Sequence, residues 1–148
     1  KENNIDVFFN RDDLEKFYSL LEQNISEKGG TPTHSLRELI SLKELYHNQI
    51  EFVSAYKSGH YIGGLCNWMI KQGIWLVFYS CYNKNYTSER TLNRLFYESV
   101  MRYKKNGAQF VDFGTSSIGM EVNEGLANFK EQYAAYGIFR DTLFLDFQ

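Results

Sequence analysis

Apolar positions recur along this chain with two different periods, and the switches between them lay out its elements. Leu14, Phe17, Tyr18, Leu21 and Ile25 fall at helical spacing behind a capping-box-like start at residues 12–15. They predict a first amphipathic helix, broken at Gly29-Gly30-Thr31-Pro32. Ser35-Leu36-Arg37-Glu38 restarts a helix through a Ser-x-x-Glu box that satisfies two orphan amides, and this second helix ends near Tyr46. From Ile50 the period drops to that of strands, predicted over residues 50–56, 61–70 and 74–82. Turns at Lys57-Ser58-Gly59-His60 and Lys71-Gln72-Gly73 join them into an antiparallel meander.

The third of these strands is apolar on both faces for most of its length, which predicts a place in the sheet centre with helices above and below. Leu92, Leu95, Phe96, Ser99, Val100 and Tyr103 then trace one stripe of a longer helix, closed by Lys104-Lys105-Asn106-Gly107 with its basic last turn. A short strand at 109–113 follows, then a polar loop to Asn123, a helix over about 124–136 and a last strand over 138–147. A meander followed by a crossover helix into a parallel strand describes an α/β fold, a mixed sheet with helices on both faces. Where pairing changes from antiparallel to parallel, neighbouring strands splay at their C-terminal ends, and ligands enter such gaps.

Composition narrows the function. With 148 residues, 43% apolar and 23% charged, the chain is a globular domain, and one domain over 1–148 is the default. A net charge of −2 gives no bulk attraction to duplex DNA. The longest apolar run, near residues 73–81, is far shorter than the roughly 20 residues that span a bilayer, and no signal-peptide pattern opens the chain, so it reads as cytoplasmic. Cys66 and Cys81 fall in strand segments and read as reduced, buried thiols. Two cysteines and His34, His47 and His60 do not assemble a metal quartet, so no metal is expected. Because the chain opens on Lys1, it reads as part of a longer protein.

Three runs carry a family likeness: residues 33–65 with "THSLREL" and "SAYKSGHYIGGL", then "RTLNRLFYESVMRYKKNGAQFVDFGTSS", then "NEGLANFKEQYAAYGIFRDT". Over about 12–147 the chain resembles the GNAT-fold acyltransferases, and within them the branch related to the Fem-type peptidoglycan aminoacyl transferases. The most specific pieces are Asp112-Phe113-Gly114 closing a strand and Phe129-Lys130 in a helix. Members of that branch often carry two such halves, and this chain resembles the second.

The resemblance implies direct attack of an amine on an acyl thioester, with acyl-CoA as donor and an oxyanion held by a strand amide. It implies a donor cradle along Tyr79, Cys81, Asn83, Tyr86, Thr87, Ser88 and Glu89, with Lys84 and Arg90 as countercharges and the diphosphate on the amides of a helix starting near Ser88. Thr87 or Ser88 as a plain helix cap is the alternative. The Arg/Gln-x-x-Gly-x-Gly/Ala loop usual in the fold is absent, since "NKNYTSERT" has no glycine. That departure is compatible with an aminoacyl-tRNA donor, whose stem would need Lys104, Lys105, Lys130 and Arg140 on one face, or with a non-catalytic binding or dimerisation module.

Lys130 is implied as the charge stabiliser, Tyr133 or Tyr136 as the acid that protonates the leaving thiolate, and Phe129, Thr115 and Asn123 as substrate contacts. Asp112 reads either as a base or amine anchor, or as a loop-ordering residue bonded to the Thr115 or Ser116 amide. Asn123 and Glu124 also read as a helix start. Cys81 at the central strand reads as core, and His34 as an exposed or staple residue beside the capping Ser35. A role in cell-envelope or polysaccharide synthesis, with a preceding domain or a second copy as partner, completes the expectation.

Overall fold

The structure is a computed structural model and describes residues 4–118 and 121–138. The elements run β1 (Asp6–Phe9), α1 (Leu14–Ser26), α2 (Leu36–Leu45), β2 (Ile50–Lys57), β3 (His60–Lys71), β4 (Ile74–Tyr82), a 3-10 turn (Lys84–Glu89), α3 (Thr91–Lys105), β5 (Phe110–Asp112), β6 (Ser117–Ile118), β7 (Glu121–Val122) and α4 (Glu124–Glu131). They fall into two compact units, Lys1–Gly114 and Thr115–Gln148.

The first unit holds a five-stranded sheet in the order β1-β2-β3-β4-β5. β1 to β4 are antiparallel neighbours, and β5 joins parallel to β4. The mixed α/β sheet read from the sequence is therefore observed. Ser58 and Gly59 both take positive φ (49° and 80°), the twist that a tight β2–β3 hairpin requires.

Alternation along the strands sends two sets of side chains to opposite faces. On one face Phe52, Cys66 and Cys81 meet Leu14, Phe17 and Leu21 of α1 and Leu39 of α2 in one buried cluster. Each such Leu or Phe contributes roughly 1.5–3 kcal/mol of burial. On the other face Leu95, Phe96, Ser99 and Tyr103 of α3 are buried. There the Asn67 amide donates to Tyr103 Oη at 2.8 Å, Tyr103 donates to Glu51 Oε2 at 2.8 Å, and Trp75 stacks on the Tyr103 ring at 4.0 Å. Burial pushes the Glu51 carboxyl up from its ordinary range, against the pull of Tyr103 and Arg102. Gly63 and Gly64 let the layers approach. A Cβ on Gly63 would lie 2.8 Å from the Cys81 carbonyl oxygen and 2.9 Å from Thr91 Cγ2; on Gly64, 2.9 Å from Phe17 Cδ2.

Several expectations change. The capping box predicted at residues 12–15 does not form: Asp13 makes no cap bond, and its carboxylate instead accepts from Tyr56 Oη at 2.5 Å and Lys16 Nζ at 3.2 Å. Burial alone would raise Asp13, but the bonds from Tyr56, Lys16 and Ser54 outweigh it and hold the carboxyl below its usual value. β1 was not legible, being only four residues long. The strand expected at the sheet centre, β4, is instead next to the edge, with β3 in the middle, and it is mostly half-buried, because β5 flanks only its first residues.

In the second unit the polar loop pairs β6 with β7 in an antiparallel two-stranded sheet, where the sequence predicted no strand. α4 ends at Glu131 rather than near 136. The predicted last strand, apart from Ile138, and Arg140 lie outside the described residues.

Candidate active site

β5 pairs with β4 only through Ile74↔Phe110, Trp75↔Val111 and Leu76↔Asp112, while β4 runs on to Tyr82. Among the described residues, no strand pairs with that edge of β4 beyond Leu76. On its other edge β4 carries an extra residue at the same level, since Cys66 opposes Tyr79 but Asn67 opposes Val77. Phe78 is thus the bulged residue, and a bulge re-aims side chains and bends the strand. It also reverses the alternation. Trp75 packs on Tyr103 at the α3 face, whereas Phe78 and Tyr79 both lie against the α1/α2 cluster, their rings 4.6 Å apart.

The bulge gathers side chains that are distant in sequence. His34, in the connection between α1 and α2, sets Nδ1 2.8 Å from Tyr79 Oη, and its ring lies 5.3 Å from that of Phe78. Trp68 packs on Phe78 and Tyr46 on Trp68, which extends an aromatic wall from the bulge. His34 is half-buried here, so the exposed alternative read from the sequence is corrected. The signal was weak, because nothing in the spacing of residues 34 and 79 shows that a bulge will turn Tyr79 toward it. Cys81 lies in the core, its thiol 3.6 Å from the Phe17 carbonyl oxygen. Burial pushes that thiol up to about 12, so it stays protonated and inert, and only its backbone is available to a donor. Cys66 and Cys81 are both buried and unbridged.

At the end of β4 the chain enters the 3-10 turn and then α3. The helix begins at Thr91, three residues later than the start near Ser88 read from the sequence, so its free amides belong to residues 91–93. Its N-cap, Arg90, sits in the left-handed region (φ 52°, ψ 47°) and makes no side-chain cap bond. The Thr91 hydroxyl is buried without a hydrogen-bond partner among the described residues. Of the expected cradle, Asn83 caps the 3-10 turn by accepting from the Asn85 amide at 3.0 Å, and Thr87 donates inward to the Lys84 carbonyl at 2.6 Å. Tyr86 is half-buried and Ser88 exposed. Two expected ligand contacts are committed to ion pairs: Glu89 with Lys57, and Lys84 with Glu27 at 2.5 Å. Neither Thr87 nor Ser88 caps α3.

Asp112 closes β5 by accepting the Gly114 amide at 2.7 Å, with Gly114 at φ 72°. This is a loop-ordering bond, to Gly114 rather than to Thr115 or Ser116. In the second unit, Lys130 Nζ donates to the Thr115 carbonyl at 2.6 Å, which brings two of the predicted residues together. Asn123 caps α4 by accepting the Leu126 amide at 3.0 Å. Phe129 and Tyr133 meet edge to face at 5.4 Å, and Tyr136 is exposed. Among the described residues no cluster of three or more metal-ligating side chains forms, and no helix is long and apolar enough to cross a membrane.

No protein-family model and no curated protein sequence matches this chain. Solved structures do. An aminoglycoside acetyltransferase, meta-AAC0020, from an uncultured soil metagenomic sample and in complex with sisomicin, aligns over 98% of this chain and 99% of its own with 16% identity and a TM-score of 0.67. A ribosomal-protein-alanine N-acetyltransferase from Brucella melitensis biovar Abortus 2308 aligns over 96% and 99%, with 11% identity and a TM-score of 0.69. AAC(6')-Iy, in complex with the bisubstrate analogue CoA-S-monomethyl-acetylneamine, aligns over 98% and 99%, with 15% identity and a TM-score of 0.67. The chain therefore has the fold of the GNAT acetyltransferases.

Proposed function

We propose that this chain is an N-acyltransferase that moves an acyl group from a coenzyme A thioester to an amine by direct attack. The observation that carries the reading is the parting of β4 from β5 after Leu76, at the Phe78 bulge and on the strand that leads to the uncapped amides of α3. Those amides suit a diphosphate, because a helix N-terminus offers unpaired donors and partial positive charge. A β4 amide freed at the parting suits the oxyanion that forms when the amine attacks, and one such donor contributes roughly 3 kcal/mol to the barrier. The C–N bond forms, the C–S bond breaks, and a proton from the nitrogen ends on the departing thiolate. The sisomicin and acetylneamine complexes of the two aminoglycoside enzymes support an amine acceptor and a coenzyme A donor by fold analogy. Lys130 as charge stabiliser and Tyr133 as acid rest on the resemblance of the Phe129-Lys130 motif, as does kinship with the Fem-type branch.

The test is a thermal-shift titration with acetyl-CoA, followed by thiol release with amine acceptors. Saturation at 100 times the dissociation constant adds roughly 2.7 kcal/mol, which raises the melting temperature of a chain this size by roughly 5 °C or more. The glycine-free connection from β4 to α3 favours one second reading, an aminoacyl-tRNA donor. Salt-sensitive tRNA binding without any acetyl-CoA shift would establish it, and silence in both assays would leave a non-catalytic module.

A further inference from the structure

We propose that His34 is the group that takes the proton from the acceptor amine, and that the Tyr79 hydroxyl is its positioning residue. This deepens the acyl-transfer reading and rests on it. The two residues are 45 positions apart and come from different elements, yet Nδ1 and Oη lie 2.8 Å from each other. The contact exists only because Phe78 bulges from β4 and turns Tyr79 to the same face. β4 loses β5 after Leu76, two residues before the bulge, so the backbone assigned to the reacting carbonyl and the hydroxyl that holds the imidazole belong to one short stretch of strand.

We assign Nδ1–H as the donor in this contact, with the Tyr79 hydroxyl oxygen as acceptor. With Nδ1–H donating to Tyr79 Oη, the lone pair lies on Nε2, which has no partner among the described residues. An ammonium on the acceptor gives one proton to Nε2, leaving a neutral amine whose nitrogen lone pair attacks the thioester carbonyl and an imidazolium whose Nδ1–H still bonds Tyr79; on collapse the C–S bond breaks and the departing thiolate takes the second proton from the nitrogen, giving amide and free thiol. After collapse the imidazolium returns its proton to solvent. The His34 ring also leans on Phe78 at 5.3 Å, so two contacts hold its plane. The titratable and charged groups facing it are Tyr79 from β4 and Glu38 from α2, whose carboxylate is held by the Ser35 amide at 2.7 Å and hydroxyl at 2.8 Å. The adjoining wall of Phe78, Trp68 and Tyr46 offers flat faces to a sugar ring or an alkylammonium.

The experiment measures kcat/KM against pH with acetyl-CoA and three amine probes, sisomicin, spermidine and glycinamide, in the wild type, His34→Gln, His34→Ala and Tyr79→Phe. His47→Gln is the control, since His47 is exposed and outside the site. His34→Gln should lower kcat/KM by about 100-fold or more and flatten the acid limb of the profile, with the acetyl-CoA thermal shift unchanged. Added imidazole should restore turnover to His34→Ala. Tyr79→Phe should keep the acid limb but displace it, with a smaller loss borne by kcat rather than KM. His34→Gln with the wild-type rate and acid limb would overturn the proposal, as would a wild type that binds acetyl-CoA and acetylates none of the three probes. In both of those cases the acetyl-CoA shift leaves donor binding standing. A wild type that shows no shift with acetyl-CoA overturns the donor reading and this proposal together.

Discussion

The N-termini of α2 and α3 solve the same physical problem in opposite ways. At α2 the Ser35 hydroxyl accepts the Glu38 amide at 3.3 Å, and the Glu38 carboxylate accepts the Ser35 amide at 2.7 Å, so the chain satisfies its own orphan donors. At α3 no side chain takes that role, the N-cap is a left-handed arginine, and the adjoining Thr91 hydroxyl is buried without a partner among the described residues. A helix loses stability by leaving its first turn open. α3 tolerates this because its other face and far end are anchored: Leu95, Phe96 and Tyr103 are buried, and Tyr103 and Arg102 both bond Glu51. The difference separates a helix closed by its own side chains from one whose first turn no side chain caps.

The strongest way to break the comparison is to push α3 away from the sheet. Gly63→Val places its Cβ 2.8 Å from the Cys81 carbonyl oxygen and 2.9 Å from Thr91 Cγ2, and the backbone oxygen has nowhere to go. Overpacking of this kind costs about 3 kcal/mol, so urea unfolding should show a midpoint well below that of the wild type. Acetyl-CoA binding, read by calorimetry on the fraction still folded, should be lost with it. A folded Gly63→Val protein with unchanged affinity would mean that the open end of α3 is not where the donor rests.

Next in size is a substitution that turns the open end into a closed one. Arg90→Asp puts an anion among the free amides of residues 91–93 and replaces arginine by a residue that tolerates the left-handed region. Stability should rise, by about 1 kcal/mol, while acetyl-CoA affinity falls by about 100-fold, or roughly 2.7 kcal/mol. Opposite signs from one substitution are the signature of an end reserved for a ligand. A stabler protein with unchanged affinity would reduce α3 to an inefficient copy of α2.

How much of this was legible beforehand follows from how local each feature is. The Ser35–Glu38 box and the bounds of α2 are written in four adjacent residues, and the structure reproduces them. The meander was equally legible, because each turn signal sits between two period-two runs. Asp12 to Glu15 looked like a second box, but a buried Tyr56 hydroxyl 43 positions away outbids the local amide for the Asp13 carboxylate. Thr87 and Ser88 are good caps by type and point to a start of α3 near Ser88; Thr87 instead donates its proton inside the 3-10 turn. The Phe78 bulge has no glycine or proline to announce it, and with it the His34–Tyr79 contact was invisible. Short-range chemistry could be read directly, while the site is assembled by register.

Closing the comparison from the α2 side should give a smaller effect. Ser35→Ala removes both the cap and the hydroxyl that Glu38 accepts from, and should cost about 1 kcal/mol in a urea titration, with acetyl-CoA affinity within error of the wild type. A parallel loss of affinity would show that the two helix ends are not independent and that the α2 cap also bears on the donor.

The smallest effect is read as a sign, and it tests the claim that the far end of α3 holds the helix in place. Glu51 is raised above its ordinary value by burial, with Tyr103 and Arg102 pulling the other way. A carboxyl raised in the folded state binds its proton more tightly there than in the unfolded chain. Its contribution to stability is therefore fully present below the unfolded value, about 4.3, and is lost as pH rises through the raised folded value. Glu51→Gln keeps an acceptor for Tyr103 but carries no charge, so the wild-type stability minus that of Glu51→Gln should fall between pH 4 and neutrality. Asp13 runs the other way, since its carboxyl is lowered: the wild type minus Asp13→Asn should rise over the acid range. Chemical unfolding at a series of pH values separates the two, and a flat Glu51 difference would mean that the charge beneath Tyr103 is already balanced by Arg102, 3.2 Å away.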